Sequence, residues 1–214
     1  GDQAVVKMPD NIIYYGGKTQ QVEKNTRVKA RVKAQALKEI ISAKDKVFIM
    51  GHRIGDFDCL GAAIGVYRIA RTMNREAHIV LGDVSTSLQP VANLFRNNPE
   101  YPSDLFYNSQ QAIEKVSDST ALVVVDVNKP SITECPELLR LCKSIVVLDH
   151  HRAGTETVEN ATLSYVEAYA SSACEMVSEI LQYIGENVKI RPEEADAIYA
   201  GIVMDTNSFQ NKTG

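Results

Sequence analysis

Apolar residues recur along the chain in short continuous runs, and stretches with helical spacing separate them. The runs lie at residues 47–51 (VFIMG), 78–82 (HIVLG), 121–126 (ALVVVD) and 144–149 (SIVVLD). The helical stretches between them cover residues 59–74, residues 104–116 and a short piece from Pro136 to Lys143. Continuous apolar strands that alternate with helices are typical of a parallel sheet covered by helices on both faces. The pattern therefore predicts an α/β fold.

The two ends of the chain add further elements. Residues 1–22 contain two short extended pieces, VVKM and IIYY, around PDN and GG turns. Residues 23–43 have helical spacing, with an apolar stripe formed by Val28, Val32, Ala36 and Ile40. The basic residues on the other faces of this helix indicate a solvated surface, or alternatively a contact with an anionic partner. Two later helices are predicted, one from Ser172, which begins a capping box, and one from about Pro192.

Composition narrows the class of protein. The chain has 214 residues and a formal net charge of −4, which argues against a large surface for long nucleic acids and leaves room for a small phosphorylated ligand. No apolar run reaches the roughly 18–20 residues of a membrane span. None of the four cysteines forms a C-x-x-C pair, so we expect reduced thiols in a cytoplasmic protein rather than a structural zinc site.

Residues that bind metals follow three of the four predicted strands. His52, Asp56 and Asp58 follow the first strand, Asp126 ends the third, and Asp149, His150 and His151 end the fourth. The carboxyl ends of parallel strands form the ligand-binding edge of such a sheet, so these side chains are expected to lie close together. Taken singly, His52 could be a buried core histidine, and the aspartates could be turn or helix-cap residues.

Asp205 is a further candidate, because it lies near the carboxyl end of an apolar helix, AIYAGIVMD. A carboxylate is unfavourable at the negative end of a helix dipole unless a cation is near, although a solvated helix end is the alternative. Unit charges about 4 Å apart repel by about 4 kcal/mol at an effective dielectric constant of about 20, so five aspartates on one edge require cations. Mixed imidazole and carboxylate ligands favour a first-row metal such as manganese, and the absence of thiolate ligands disfavours zinc. The pattern predicts half of a dinuclear site around His52, Asp56 and Asp58.

Four segments of the sequence resemble the four motifs of the DHH phosphoesterases: HRIGDFD, VVVDVN, LDHHR and GIVMDTNSF. Three longer segments resemble the GdpP-type cyclic-di-AMP phosphodiesterases of Gram-positive bacteria: YYGGKTQQVEKNTRVKARVKAQALKEII, GHRIGDFDCLGAAIG and YASSACEMVSEIL. The resemblance implies a five-stranded parallel sheet with flanking helices. It also implies that residues 1–22 are the remnant of a degenerate GGDEF domain, that 23–43 are a connector helix and that 44–214 are the DHH catalytic domain.

The resemblance implies two manganese ions per chain. One would be held by His52, Asp56 and Asp126. The other would be held by Asp58, Asp126, His150 and Asp205, with Asp126 as the bridge. Asp126, Asp149 and His151 would be catalytic, with Asp149 orienting a histidine, and His151 and Arg152 would face the scissile phosphate.

The implied activity is the hydrolysis of cyclic-di-AMP to linear pApA by a hydroxide held between the metals. The alternative within the family is an oligoribonuclease or 3′-phosphoadenosine phosphate phosphatase. Outside it, a metal-independent ligand sensor and an interaction domain that uses the basic helix remain possible functions. The resemblance further implies a membrane-anchored parent protein, a possible homodimer and a smaller DHH-associated domain beyond this chain, without which we expect weaker substrate binding.

Overall fold

The computed structural model describes residues 4–8, 11–15, 17–152 and 154–210, and side chains from residue 28 onward within these ranges. Strands β1 (Ala4–Met8) and β2 (Asn11–Tyr15) pair antiparallel, as the two extended pieces predicted. Helix α1 runs from Gly17 to Ser42, so it begins six residues before the predicted boundary at residue 23. The proposed relationship of residues 1–22 to a GGDEF domain stays a prediction.

A parallel six-stranded sheet forms the centre of the fold. Its strands, in chain order, are β3 (Lys46–Met50), β4 (Glu76–Val80), β5 (Phe106–Tyr107), β6 (Thr120–Val125), β7 (Ser144–Asp149) and β8 (Leu163–Val166). Their order across the sheet is β5-β4-β3-β6-β7-β8, with every neighbouring pair parallel. The predicted parallel sheet is confirmed, but it has six strands rather than five, because the short edge strands β5 and β8 lie on opposite sides of the four apolar strands.

The strands are apolar throughout because both faces of the sheet are covered. In β3, Val47 and Ile49 belong to one core while Phe48 and Met50 belong to the other. The first core is formed with α1, α2 (Phe57–Thr72), α3 (Gln89–Arg96), α6 (Ala173–Ile184) and α7 (Pro192–Asp205). The second is formed with α4 (Ser109–Lys115) and α5 (Leu138–Leu141). This is the helix-covered parallel arrangement that the apolar runs predicted.

The predicted helix at 104–116 is wrong in its first half. Residues 106–107 form β5, and α4 begins only at Ser109, where Asn108 caps it through a capping box. Helix α3 was not predicted. The capping box at Ser172 is confirmed as the start of α6, since the Ser172 side chain accepts from the Glu175 backbone N–H.

The predicted apolar stripe on α1 is half correct, because Ala36 and Ile40 pack against the first core but Val28 and Val32 do not. Val28 and Val32 are 58% and 61% exposed, whereas the fully buried positions are Ala30, Ala34, Leu37 and Ile41. The burial is set by packing against α6 and β8, which selects a stripe with small residues that allow close approach. Lys29 fixes this orientation through a 2.9 Å ion pair with Glu167.

All four cysteines are free and buried, in agreement with the expected reduced thiols. Among the described residues, no helix combines the length and the apolar character that crossing a bilayer requires.

Candidate metal centre

The predicted ligands converge at the carboxyl edge of the sheet. His52, Asp126 and His150 follow the adjacent strands β3, β6 and β7. Two helix ends complete the cluster, because Asp56 and Asp58 flank the start of α2 and Asp205 is the last residue of α7. The structure therefore brings together all six residues for which metal binding was predicted.

Asp126 is the centre of this cluster, and its two carboxylate oxygens face different histidines. Oδ2 lies 3.3 Å from His52 Nε2, while Oδ1 lies 3.4 Å from His150 Nε2. The residue is 3% exposed and has a φ of 58°, a left-handed conformation that is strained for a residue with a side chain. Its Oδ1 has no hydrogen-bond partner among the described residues. A buried, strained carboxylate with a free oxygen is arranged for a ligand rather than for stability.

The His52 side of the cluster includes Asp56, which has two functions. One carboxylate oxygen caps α2 by accepting the Cys59 N–H at 2.9 Å, so the interpretation of Asp56 as a helix cap is confirmed. The other oxygen lies 3.5 Å from His52 Nε2. The helix cap therefore leaves Oδ2 available for a cation beside His52.

The His150 side contains Asp58 and Asp205. His150 Nε2 lies 3.2 Å from Asp205 Oδ2 and 3.7 Å from Asp58 Oδ2. Asp58 is 1% exposed and also accepts the backbone N–H groups of Ala173 and Cys174, at 2.6 and 2.9 Å, at the start of α6. The positive end of that helix stabilises the buried carboxylate and fixes its direction.

The electrostatics of the metal-free chain follow from this crowding. Interaction with Asp126, and then with Asp56, raises the pKa of His52 to about 10. Burial opposes the charge on His150, but Asp126 outweighs it and raises the pKa of that histidine to about 8. Burial, followed by the charge of Asp126, raises the pKa of Asp58 to about 6. Protonated imidazoles thus compensate part of the negative charge where a metal would otherwise do so.

The arrangement fits a pair of metal ions. Two ligand atoms that bind one metal ion at right angles, each with a bond of about 2.1 Å, lie about 3 Å apart. The Nε2 atoms of His52 and His150 lie 3.2–3.7 Å from the neighbouring carboxylate oxygens, which is close to this spacing. His150 Nε2 and Asp126 Oδ1 are both buried without a hydrogen-bond partner among the described residues. The site could therefore hold metal ions on the two sides of Asp126.

His151 is held by Asp149 beside the cluster. Its Nδ1 lies 2.8 Å from Asp149 Oδ1, which also accepts the His151 backbone N–H at 3.2 Å. The other oxygen of Asp149 accepts a hydrogen bond from Asn128 Nδ2. Asp149 is fully buried while the His151 side chain is 59% exposed. The ring is therefore held on its Nδ1 side by a buried carboxylate, and the rest of it is open to solvent. The orienting function predicted for Asp149 applies, in this geometry, to His151.

A cleft of about 560 Å³ opens over the cluster. Arg152 and His151 line it together with Lys129, Ile132 and Asp205. The cleft therefore combines the cluster, two basic side chains and an apolar one, which is the composition that a phosphorylated ligand requires.

Two residues of the site were missed by sequence analysis. Asn128 was not singled out, although it lies two positions after Asp126 in VVVDVN. Cys59 was included among the four cysteines expected to be reduced thiols, and the predicted ligand set contained no thiolate. The structure places ligand atoms of His52, Cys59 and Asp126 within 4.8 Å of one another. The first-turn position of Cys59 on α2, one residue after Asp58, was the available signal.

Residues 46–202 match the family model described as DHH family, N-terminal domain. The chain belongs to the DHH family. It is 42% identical over 217 residues to the cyclic-di-AMP phosphodiesterase GdpP of Bacillus subtilis (strain 168), a match that covers 100% of this chain and 33% of that protein. The chain thus spans about a third of the length of this relative.

A more distant sequence relative and a solved structure are also similar to this chain. The bifunctional oligoribonuclease and PAP phosphatase NrnA of Mycoplasma pneumoniae (strain ATCC 29342 / M129 / Subtype 1) is 29% identical over 172 residues, which cover 79% of this chain and 48% of NrnA. The crystal structure of an exopolyphosphatase-related protein from Bacteroides fragilis superimposes with a TM-score of 0.67 at 17% identity, covering 86% of this chain and 53% of the other. The structural likeness supports the fold.

Proposed function

We propose that this chain is the catalytic DHH domain of a phosphodiesterase that hydrolyses cyclic-di-AMP to linear pApA. The single observation that carries the proposal is the Asp126 carboxylate, whose two oxygens each face a different histidine at 3.3–3.4 Å. The substrate follows from the 42% identity to a cyclic-di-AMP phosphodiesterase over the whole chain.

Two manganese ions are the proposed cofactors. His52 and Asp56 would hold one ion and His150, Asp58 and Asp205 the other, with Asp126 bridging them. Nitrogen and carboxylate donors in this mixture suit manganese. When bound, such a pair lowers the pKa of a water molecule and offsets negative charge on the phosphate.

The remaining residues of the cleft would act on the substrate directly. Arg152, on the loop after His151, would bind a phosphate oxygen. His151 would face the scissile phosphate through Nε2, because Asp149 occupies Nδ1. Interaction with Asp149 raises the pKa of His151, which favours the protonated ring, and from Nε2 this ring could donate a proton to a phosphoryl or leaving oxygen. Asp149 and Asn128 would position the ring.

The alternative is an oligoribonuclease or PAP phosphatase, favoured by the 29% identity to NrnA. The same centre would serve both activities, since each breaks a phosphate ester. The two differ in what occupies the cleft beyond the scissile phosphate. The higher identity to the cyclic-di-AMP enzyme favours the cyclic substrate.

A substrate panel with manganese tests the proposal. Cyclic-di-AMP, pApA and 3′-phosphoadenosine phosphate would each be incubated with the chain, and the products would be separated by chromatography. We expect conversion of cyclic-di-AMP to pApA, reduced on the order of 10³-fold in Asp126→Asn, which keeps the size of the side chain and removes its charge. Cleavage of pApA or 3′-phosphoadenosine phosphate alone would favour the NrnA-like alternative.

The same proposal includes the longer protein to which this domain would belong and its assembly. We infer a longer, membrane-anchored parent protein that carries this chain as one cytoplasmic portion, with residues 1–22 derived from a GGDEF domain and α1 as the connector. The difference in length from the relative supports this inference. A homodimer is proposed with it, and the exposed Val28 and Val32 on α1 are candidate contacts.

A further inference from the structure

The sulfur of Cys59 lies at the edge of the metal centre rather than in the core alone. Cys59 is in the first turn of α2 and is 5% exposed. A Cβ atom added to Gly51 would lie 1.9 Å from Cys59 Sγ and 3.2 Å from the Val125 carbonyl oxygen. The sulfur therefore occupies the space above the end of β3 that the missing side chain of Gly51 leaves open, beside the end of β6. These strand ends immediately precede His52 and Asp126.

Cys59, His52 and Asp126 form a group with the dimensions of a metal site. Their ligand atoms all lie within 4.8 Å of one another. In a tetrahedral site the sulfur and nitrogen ligands of one zinc ion are about 3.6 Å apart, so side-chain movements of about 1 Å would bring all three atoms within bonding distance. The other two members of the group are already close together, because Asp126 is 3% exposed and its Oδ2 lies 3.3 Å from His52 Nε2.

We propose that Cys59 is a thiolate ligand for thiophilic divalent cations, such as zinc, cobalt(II) or cadmium, on the His52 side of the centre. The inference rests on the proposed metal centre and adds a ligand to it. On binding, the ion forms a bond to sulfur and the thiol proton passes to solvent. Manganese prefers oxygen and nitrogen donors and leaves the thiol protonated, so Cys59 distinguishes soft ions from manganese.

The Cys59 sulfur packs into the space that Gly51 leaves open, and the residue is 5% exposed. We therefore expect the metal-free thiol to be unreactive and to act as a packing group until a cation with affinity for thiolate binds.

Cobalt(II) absorption spectroscopy on the full chain tests the inference without measuring activity. Visible d–d bands would report cobalt bound at the centre, and a near-ultraviolet sulfur-to-cobalt charge-transfer band would report a thiolate ligand. We expect both in the wild-type chain, and we expect Cys59→Ser to keep the d–d bands and lose the charge-transfer band. Zinc should displace manganese, which does not use the thiol, from the wild-type chain at a concentration about tenfold lower than from Cys59→Ser, which corresponds to about 1.4 kcal/mol.

Two matched variants make the result specific. Cys142→Ser removes a buried thiol that belongs to the other core, and it should keep both bands. Cys174→Ser removes the thiol that lies 3.3 Å from the Asp58 carbonyl oxygen on the His150 side, and it should keep the charge-transfer band. The inference is overturned if cobalt binds the wild-type chain with d–d bands alone, or if the charge-transfer band survives in Cys59→Ser. Either result would leave the manganese-dependent substrate panel to decide the proposed function separately.

Discussion

Two buried carboxylates in this fold have opposite surroundings. Glu194, at the start of α7, is fully buried, and Arg68 donates to it from Nε at 2.8 Å and from Nη2 at 2.6 Å. The Tyr101 hydroxyl and the Arg191 backbone N–H complete its partners, at 3.1 and 3.0 Å. Asp126 is as deeply buried but has one oxygen without a hydrogen-bond partner among the described residues, and its neighbours are histidines and other carboxylates.

The difference indicates that Glu194 stabilises the fold, whereas Asp126 is placed for binding a ligand. A buried charge is tolerated when each of its lone pairs has a donor, which is the state of Glu194. Asp126 shares its surroundings with Asp58 and Asp205, whose pKa values burial raises. In the metal-free chain, attraction to His52 and His150 and repulsion from the carboxylates partly cancel at Asp126, so the two carboxylates should respond differently to mutation and to metal binding.

The largest effect on stability is expected from Glu194→Gln. The substitution keeps the size of the side chain but leaves the guanidinium of Arg68, whose side chain is 16% exposed, without its counter-charge. Removing one member of a buried ion pair lowers the free energy of unfolding by roughly 3–5 kcal/mol. Because Arg68 is partly exposed, we expect a loss at the lower end of this range, about 3 kcal/mol. Urea unfolding of the variant and the wild type measures the change in free energy of unfolding.

Tyr101→Phe is the matched control for Glu194. It removes one hydroxyl, which donates to Glu193 and Glu194, and should cost about 1 kcal/mol. Equal losses in the two variants would mean that the charge pair contributes no more than an ordinary hydrogen bond, and the contrast with Asp126 would then lose its energetic basis.

Asp126→Asn should cost the metal-free chain less than Glu194→Gln. Although burial opposes the charge, interactions with His150 and His52 lower the pKa of Asp126, so the substitution loses this attraction while it relieves repulsion with Asp58 and Asp205. We therefore expect a smaller fall in the free energy of unfolding than in Glu194→Gln. The wild type should gain about 2.7 kcal/mol at a manganese concentration one hundred times the dissociation constant, and the variant should lose this gain. Thermal unfolding with chelator and with manganese compares the two. Equal stabilisation by manganese in both proteins would contradict a bridging function for Asp126.

Sequence patterns were sufficient to identify the six predicted ligands as one cluster, because each lies just after a strand or at a helix end. The apolar runs located β3, β6 and β7, and the parallel topology then required the side chains after them to meet. The same logic failed for β5 and β8, because two- and four-residue edge strands bury few side chains and leave no periodic signal. It also failed in part for α1, where the buried stripe depends on docking against α6 rather than on the most apolar residues.

The thiol of Cys59 was missed for a different physical reason. The first turn of α2 predicts a packed position for this residue, and its packing is indeed observed. Its closeness to His52 depends on Gly51, which has no side chain to separate the sulfur from the strand end. Contacts that arise from an absent side chain carry no pattern in one sequence, so the position of Cys59 one residue after Asp58 was too weak a signal to identify this contact without coordinates.

The smallest expected effect is a pH dependence to which the histidines around Asp126 contribute. Because the folded-state pKa of His52 is raised to about 10, its protonated form stabilises the metal-free chain. This contribution is fully present below the ordinary pKa of about 6.5 and is lost as the pH rises to about 10. His150, with a pKa raised to about 8, adds to the loss over the lower part of the range. The free energy of unfolding should therefore fall between about pH 6.5 and 10, more steeply below pH 8.

Manganese should reverse this dependence, because a bound cation requires neutral imidazoles and competes with their protons. Urea unfolding at stepped pH, with chelator and with manganese, measures both slopes. His52→Gln should reduce the metal-free slope between about pH 8 and 10, and the slope that remains there should come from the buried cysteines, because burial raises the pKa of Cys135 and Cys142. A wild-type slope that survives in His52→Gln would assign the titration to other groups and would leave the two buried carboxylates electrostatically alike.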